Sequence, residues 1–150
     1  MDSQTTADRD FFHSRLVDAA PMRVFRAFSQ PERLARWWGP DGFSSTFEAF
    51  DFRPGGTWRL VLHAPDGTDY PNENVFRELD PPHRVVVEHI SDIHHFVLTI
   101  TFEARGSQTL VGWRQLFDSA EHRDTLTAVV PQANEQNLTR LQAEVARVQP

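Results

Sequence analysis

Cysteine is absent from the 150 residues, which excludes a disulfide framework, a thiolate metal site and a cysteine nucleophile, and weakly favours a reducing compartment. No apolar run approaches the ~20 residues of a membrane-spanning helix. The opening stretch MDSQTTADRD is polar and acidic where a secretory signal is basic and then apolar. A cytoplasmic protein with no membrane partner is expected. Positive charge is in deficit, since 15 basic residues against 21 acidic ones give a net charge of −6. That field repels phosphates and argues against nucleic acid as a partner. Complete catalytic signatures are missing too: there is no GxSxG, no HExxH and no phosphate loop, because the glycines of RPGG at 53 to 56 lack the Lys-Ser/Thr ending. No cofactor and no metal are expected. Tyrosine occurs once, against 12 Phe and 4 Trp, so large rings without a hydroxyl must fill a core or line a pocket.

The length fits one domain that buries roughly 70% of its unfolded surface. Residues 1–8 read as a flexible tail and 9–150 as the domain. DFFHSRLVD (10 to 18) reads as a strand, with Phe12, Ser14 and Leu16 inward if Arg15 faces water. Pro21 and Pro31 each open a short helix. The first carries Val24, Phe25 and Phe28 on one face, the second Leu34, Trp37 and Trp38, and Gly39-Pro40 stops it. Strands follow at 46 to 52, at 57 to 64 with Trp58, Leu60 and Leu62 inward, and more weakly at 72 to 79, which contains Phe76.

RVVVEHISDIHHFVLTITFE (84 to 103) reads as a hairpin with Val85, Val87 and His89 inward on one strand and Phe96, Leu98, Ile100 and Phe102 inward on the other. A two-residue Ser91-Asp92 turn sets Val87 opposite Phe96 and His89 opposite His94. In the last strand, 109 to 118, Arg114 facing water turns Val111, Trp113, Gln115 and Phe117 inward. Asp118 and Glu121 have capping-box spacing for a short helix ending near Pro131. A final helix from about 132 to 148 carries a narrow stripe of Leu138, Leu141, Val145 and Val148, suited to lying across a concave sheet.

The order strand, two short helices, six strands, long helix resembles the helix-grip architecture of the START/Bet v 1 superfamily. This is an α+β fold in which a curved antiparallel sheet of six to seven strands closes on the C-terminal helix. The stretches APMRVFRAFSQPERLARWWGP (20 to 40), DFRPGGTWRL (51 to 60), APDG (64 to 67), LDPPHRVV (79 to 86) and TLVGWRQLF (109 to 117) narrow the resemblance to the family named after the activator of Hsp90 ATPase homologue. It spans roughly residues 10 to 148. It implies a cavity between sheet and final helix, and bacterial single-domain members are mostly described as ligand-binding. The co-chaperones carry a further N-terminal domain with no counterpart in these residues, so Hsp90 activation is not implied. Where many relatives have Gly-Trp at the start of the final helix, this sequence has Ala133-Asn134, and a pocket wall is expected to differ there.

The first functional reading is a binding module for a small hydrophobic or amphipathic molecule. Its candidate site residues are Trp37, Trp38, Trp58, Phe76, His89, His94, Phe96, Leu98, Trp113, Gln115, Leu138 and Leu141. Apolar burial would supply affinity, and the histidines and Gln115 orientation. For each aromatic, plain core packing is the competing account. The second reading is an enzyme of cyclase or dehydratase type using facing histidines as acid and base. The third is a co-chaperone-like or homodimeric contact through an outer strip of Val86, Ile90 and Val97. Arg53 is expected to pair with Asp51 rather than with an anion.

Overall fold

The computed structural model describes residues 8–148; apart from Asp8, the tail expected at the N-terminus lies outside the described residues. The elements are β1 (Asp10–Val17), α1 (Pro21–Ser29), α2 (Pro31–Trp37), β2 (Ser44–Phe50), β3 (Thr57–His63), β4 (Asp69–Asp80), β5 (Arg84–Ile90), β6 (Phe96–Arg105), β7 (Gln108–Phe117), α3 (Ala120–Thr125) and α4 (Val130–Arg147). The strands form one seven-stranded sheet in the order β1-β7-β6-β5-β4-β3-β2, with every neighbouring pair antiparallel. The two short helices after β1 and α4 across the sheet complete a helix-grip fold. Register shifts between Phe47 and Ala49 and between Phe76 and Glu78 are the irregularities that bend strands and add twist.

Proline occupies the first turn of α1, α2 and α4, where a missing N–H is harmless. Helix α1 buries Val24, Phe25, Ala27 and Phe28. Phe28 meets Trp37 edge-on at 4.7 Å and Phe102 of the sheet at 5.4 Å. The Trp37 indole N–H donates to the Ala27 carbonyl at 3.0 Å, so the ring that seals this end of the core also satisfies its polar atom. Helix α4 buries Leu138, Leu141 and Val145, and on the same stripe Asn134, Asn137 and Glu144. The Glu144 carboxylate, 4% exposed, accepts from Arg33 at 3.0 Å, Arg36 at 3.3 Å and Arg147 at 3.0 Å. The bonds from Arg33 and Arg36 fasten α4 to α2, and that from Arg147 lies within α4.

The inward phases expected for β3, β5, β6 and β7 are the observed ones, and Arg53 pairs with Asp51 at 2.7 Å. Gly56 in the following turn is required sterically, because a Cβ there would stand 1.9 Å from the Asp51 carbonyl oxygen.

Three expectations are corrected. Strand β1 has the opposite phase: Phe12 and Leu16 are 54% and 44% exposed, while Phe11 and Val17 are buried. Arg15 does not face open water but reaches Glu135, Thr139 and Gln142 on α4, and His13 Nδ1 contacts Glu135 at 2.7 Å. The inner face of this edge strand meets the polar flank of a helix, which accepts charges that a core would refuse. Second, the β5–β6 hairpin is closed by the longer segment 91 to 95, so His89 pairs with Phe96, Val87 with Leu98 and Val85 with Ile100. An offset of two residues keeps every side chain on its expected face but changes its partner. Third, Ser119 rather than Asp118 caps α3, accepting from the His122 N–H at 3.0 Å, and Pro131 opens α4 instead of closing α3.

The outer strip of Val86, Ile90 and Val97 is interrupted. Glu88 lies directly opposite Val97 and holds Arg77 at 2.6 Å and His95 at 2.7 Å. Among the described residues no helix is long and apolar enough to cross a membrane.

Candidate functional site

Between the sheet and the first half of α4 lies a cavity of about 230 Å³. Its sheet wall is set by strand alternation: Val87 and His89 from β5, Phe96 and Leu98 from β6, Trp113 and Gln115 from β7, and Asn72 and Asn74 from β4 all face the same side. Its helix wall is Val130, Ala133, Asn134 and Asn137, and Trp38, Gly39 and Pro40 close a third side. The cavity exists because the early turns of α4 present small or polar side chains where the later turns present Leu138, Leu141 and Val145.

The Trp38-Gly39-Pro40 wall is held by α4 itself. Helix α2 ends as Trp38 turns extended, and Gly39 takes φ 105°, a conformation that strains any residue with a side chain. Asn137 then donates to the Trp37 carbonyl at 2.8 Å and accepts from the Gly39 N–H at 3.3 Å. The Arg140 guanidinium donates to the carbonyls of Arg36, Gly39, Pro40 and Phe43 at 2.8 to 3.1 Å. The orphan carbonyls at the end of α2 are thereby satisfied from a neighbouring helix.

The polar groups of the wall are few and oriented. Asn74 donates from Nδ2 to the Trp58 carbonyl at 3.2 Å, which turns its Oδ1 to His89 Nδ1 at 3.0 Å. A carbonyl can only accept, so the Asn74 amide cannot be reversed, and Nδ1 of His89 carries the hydrogen. The ring lies over Phe96, centroids 4.8 Å apart. Burial, reinforced by charge at neighbouring His94 and His95, pushes the His89 pKa down to about 4. At neutral pH it is an uncharged imidazole whose Nε2 is an acceptor. Opposite it, Asn134 donates to the Gln115 side-chain oxygen at 3.0 Å. Whichever way that amide pair is oriented, one NH₂ and one carbonyl oxygen remain for a ligand.

Of the candidate residues, Trp38, His89, Phe96, Leu98, Trp113 and Gln115 line the cavity. Trp37, Trp58, Phe76, Leu138 and Leu141 are at most 1% exposed and pack in the core outside its wall. Trp58 stacks on Phe76 at 5.8 Å and backs Trp38 at 4.9 Å, so these residues support the wall rather than form it. The indole N–H groups of Trp58 and Trp113 are buried without a hydrogen-bond partner, and both rings are instead surrounded by other rings.

The expected pair of His89 and His94 is not formed. With the longer loop, His94 stands outside the cavity, its Nδ1 3.2 Å from Nε2 of His122 on α3. His95 bridges Glu88 and Asp118, both at 2.7 Å, and the Glu88 contact raises its pKa. No group of three or more metal-ligating side chains is gathered among the described residues. The wall residues that sequence reasoning missed are chiefly Asn74 and Asn137, whereas the Ala133-Asn134 pair singled out in the sequence does line the cavity. The signal for Asn137 was positional, because it continues the 3-and-4 spacing of the apolar stripe of α4.

The family model described as activator of Hsp90 ATPase homolog 1-like protein matches residues 18–146. The chain belongs to that family. No curated protein matches it. Solved structures of bacterial proteins share the fold of this chain. A protein from Nitrosomonas europaea has a TM-score of 0.85 at 21% identity, covering 94% of this chain and 96% of that one. One from Arthrobacter aurescens has a TM-score of 0.86 at 20% identity, covering 99% and 90%. One from Chromobacterium violaceum has a TM-score of 0.81 at 25% identity, covering 91% and 96%.

Proposed function

We propose that this protein binds a small, largely apolar molecule in the cavity between the sheet and the first half of α4. The observation that carries this reading is the cavity wall itself, in which Trp38, Phe96, Leu98 and Trp113 supply apolar surface and a few fixed polar groups converge. That composition is the usual one for small-molecule sites, where apolar burial gives affinity and sparse polar groups give orientation. The volume, about 230 Å³, lies below the ~300–1,000 Å³ of drug-sized sites. Measured against a cavity of roughly 150 Å³ that takes benzene, it accommodates one ring with a few substituents. Recognition is favoured over catalysis because the acid/base pair that catalysis would need is not assembled: His94 is outside, and His89 has an amide, not a carboxylate, on Nδ1.

The test is a screen of single-ring compounds by ¹H–¹⁵N NMR, read at the Trp113 indole and the Asn134 and Gln115 amides. Ala133→Trp places a large ring into the void. Hits should shift those signals in the natural chain, and the variant should bind them at least about tenfold more weakly, a change of about 1.4 kcal/mol, while remaining folded. Hits that bind Ala133→Trp unchanged would show the site to be elsewhere.

A further inference from the structure

We propose, building on the reading above, that the cavity selects an uncharged ring bearing a hydroxyl group, whose O–H donates to Nε2 of His89, and that it rejects carboxylates and ammonium ions of the same size. Three observations carry this.

The first is the fixed direction of the hydrogen-bond chain. The Trp58 carbonyl orients Asn74, Asn74 orients His89, and the one ring nitrogen left over is an acceptor with no partner among the described residues. Its complement is an O–H or N–H donor. The second is that none of the sixteen lining residues is Asp, Glu, Lys or Arg. An anion or cation entering would lose its hydration with no opposite charge in the lining to compensate. A neutral hydroxyl loses far less and recovers it in one good bond. The third is the Asn134–Gln115 pair, whose unused NH₂ and carbonyl oxygen suit the lone pairs and hydrogen of a neutral polar substituent. The rings of Phe96, Trp38 and Trp113 supply the apolar faces between which the ligand ring lies.

Four probes of one size separate the possibilities: toluene, p-cresol, 4-methylbenzoate and 4-methylbenzylammonium, titrated at pH 7 by calorimetry and by long-range ¹H–¹⁵N spectra of the histidines. p-Cresol should bind at least about tenfold more tightly than toluene, with the two ions showing no measurable binding. The free protein should show His89 protonated on Nδ1. Its Nε2 resonance should move with p-cresol and stay in place with toluene. In His89→Phe the advantage of p-cresol over toluene should vanish while toluene binding persists. The Nε2 measurement is made on the natural chain and therefore decides the matter even if that variant does not fold. Equal affinity for toluene and p-cresol with an unmoved Nε2, or binding of either ion as tight as that of p-cresol, would overturn the inference and leave the apolar cavity as a binding site. Failure of all four to bind would overturn both.

Discussion

The two halves of the interior are built from the same strands and the same helix, yet one is filled and the other hollow. Beneath the later turns of α4, Leu138, Leu141 and Val145 belong to one closed apolar core with Phe28, Trp37 and Phe102, and the buried Glu144 carboxylate beside them is taken up by Arg33. Beneath its early turns, Ala133, Asn134 and Asn137 face His89 and Asn74 across open space, bridged to the sheet by the Asn134–Gln115 bond. The difference teaches that the sheet does not decide where the cavity lies. Strand alternation supplies inward side chains along the whole length, and the size and polarity of the facing helical residues determine whether they meet.

Disrupting the filled half should have the largest effect. Trp37→Ala removes a ring that is 1% exposed together with its bond to the Ala27 carbonyl, and should lower stability by about 3–5 kcal/mol in urea unfolding. A cost under about 1 kcal/mol would show that this half, too, is loosely packed.

The joint between the halves comes next. Asn137→Ala leaves the Trp37 carbonyl and the Gly39 N–H without their partner. A loss of about 1–3 kcal/mol is expected, with hydrogen exchange of Gly39 accelerated. Unchanged exchange there would mean that Arg140 alone holds the Trp38-Gly39-Pro40 wall.

The hollow half leaves its mark in pH dependence. His89 takes its proton at about 4 in the fold against 6.5 for an ordinary imidazole. Between those values the unfolded chain binds a proton that the folded chain does not, so stability falls as pH falls through that window. His95, whose pKa is raised by Glu88, acts in the opposite sense and above 6.5, where its contribution fades as pH rises. His89→Phe should therefore flatten the stability profile between pH 6.5 and 4 and leave the region above 6.5 unaltered. An unchanged slope below 6.5 would show that His89 is solvated.

The smallest effect is expected outside both halves. Glu135→Gln weakens the exposed contacts to His13 and Arg15, and should cost less than about 1 kcal/mol in urea unfolding at neutral pH. A larger loss would mean that the β1–α4 flank is part of the core.

What could be read from the sequence follows the same division. Rings and aliphatic residues at two-residue spacing disclosed the inner faces of β3, β5, β6 and β7, and proline with the 3-and-4 stripe disclosed the helices, because apolar burial is legible one residue at a time. Arg15 misled because its charge implies water unless the polar helix flank beside it is known. His94 misled because loop length sets pairing, and no local pattern distinguishes two closing residues from five. Asn74 and Asn137 went unassigned because a buried amide is justified only by the partner it finds across the interior, a relation between residues 15 to 100 positions apart.

The ring cluster described around Trp38 has an optical consequence. Trp38 touches the other three tryptophans of the chain, Trp37, Trp58 and Trp113, and only one tyrosine competes with them for ultraviolet light. Indoles in contact exchange electronic excitation faster than they emit, so light absorbed anywhere in the cluster can leave through whichever ring is quenched. Because Trp38 and Trp113 form part of the cavity wall, a molecule that enters alters the emission of all four at once. The unlabelled protein is thereby its own fluorescent sensor for whatever occupies it.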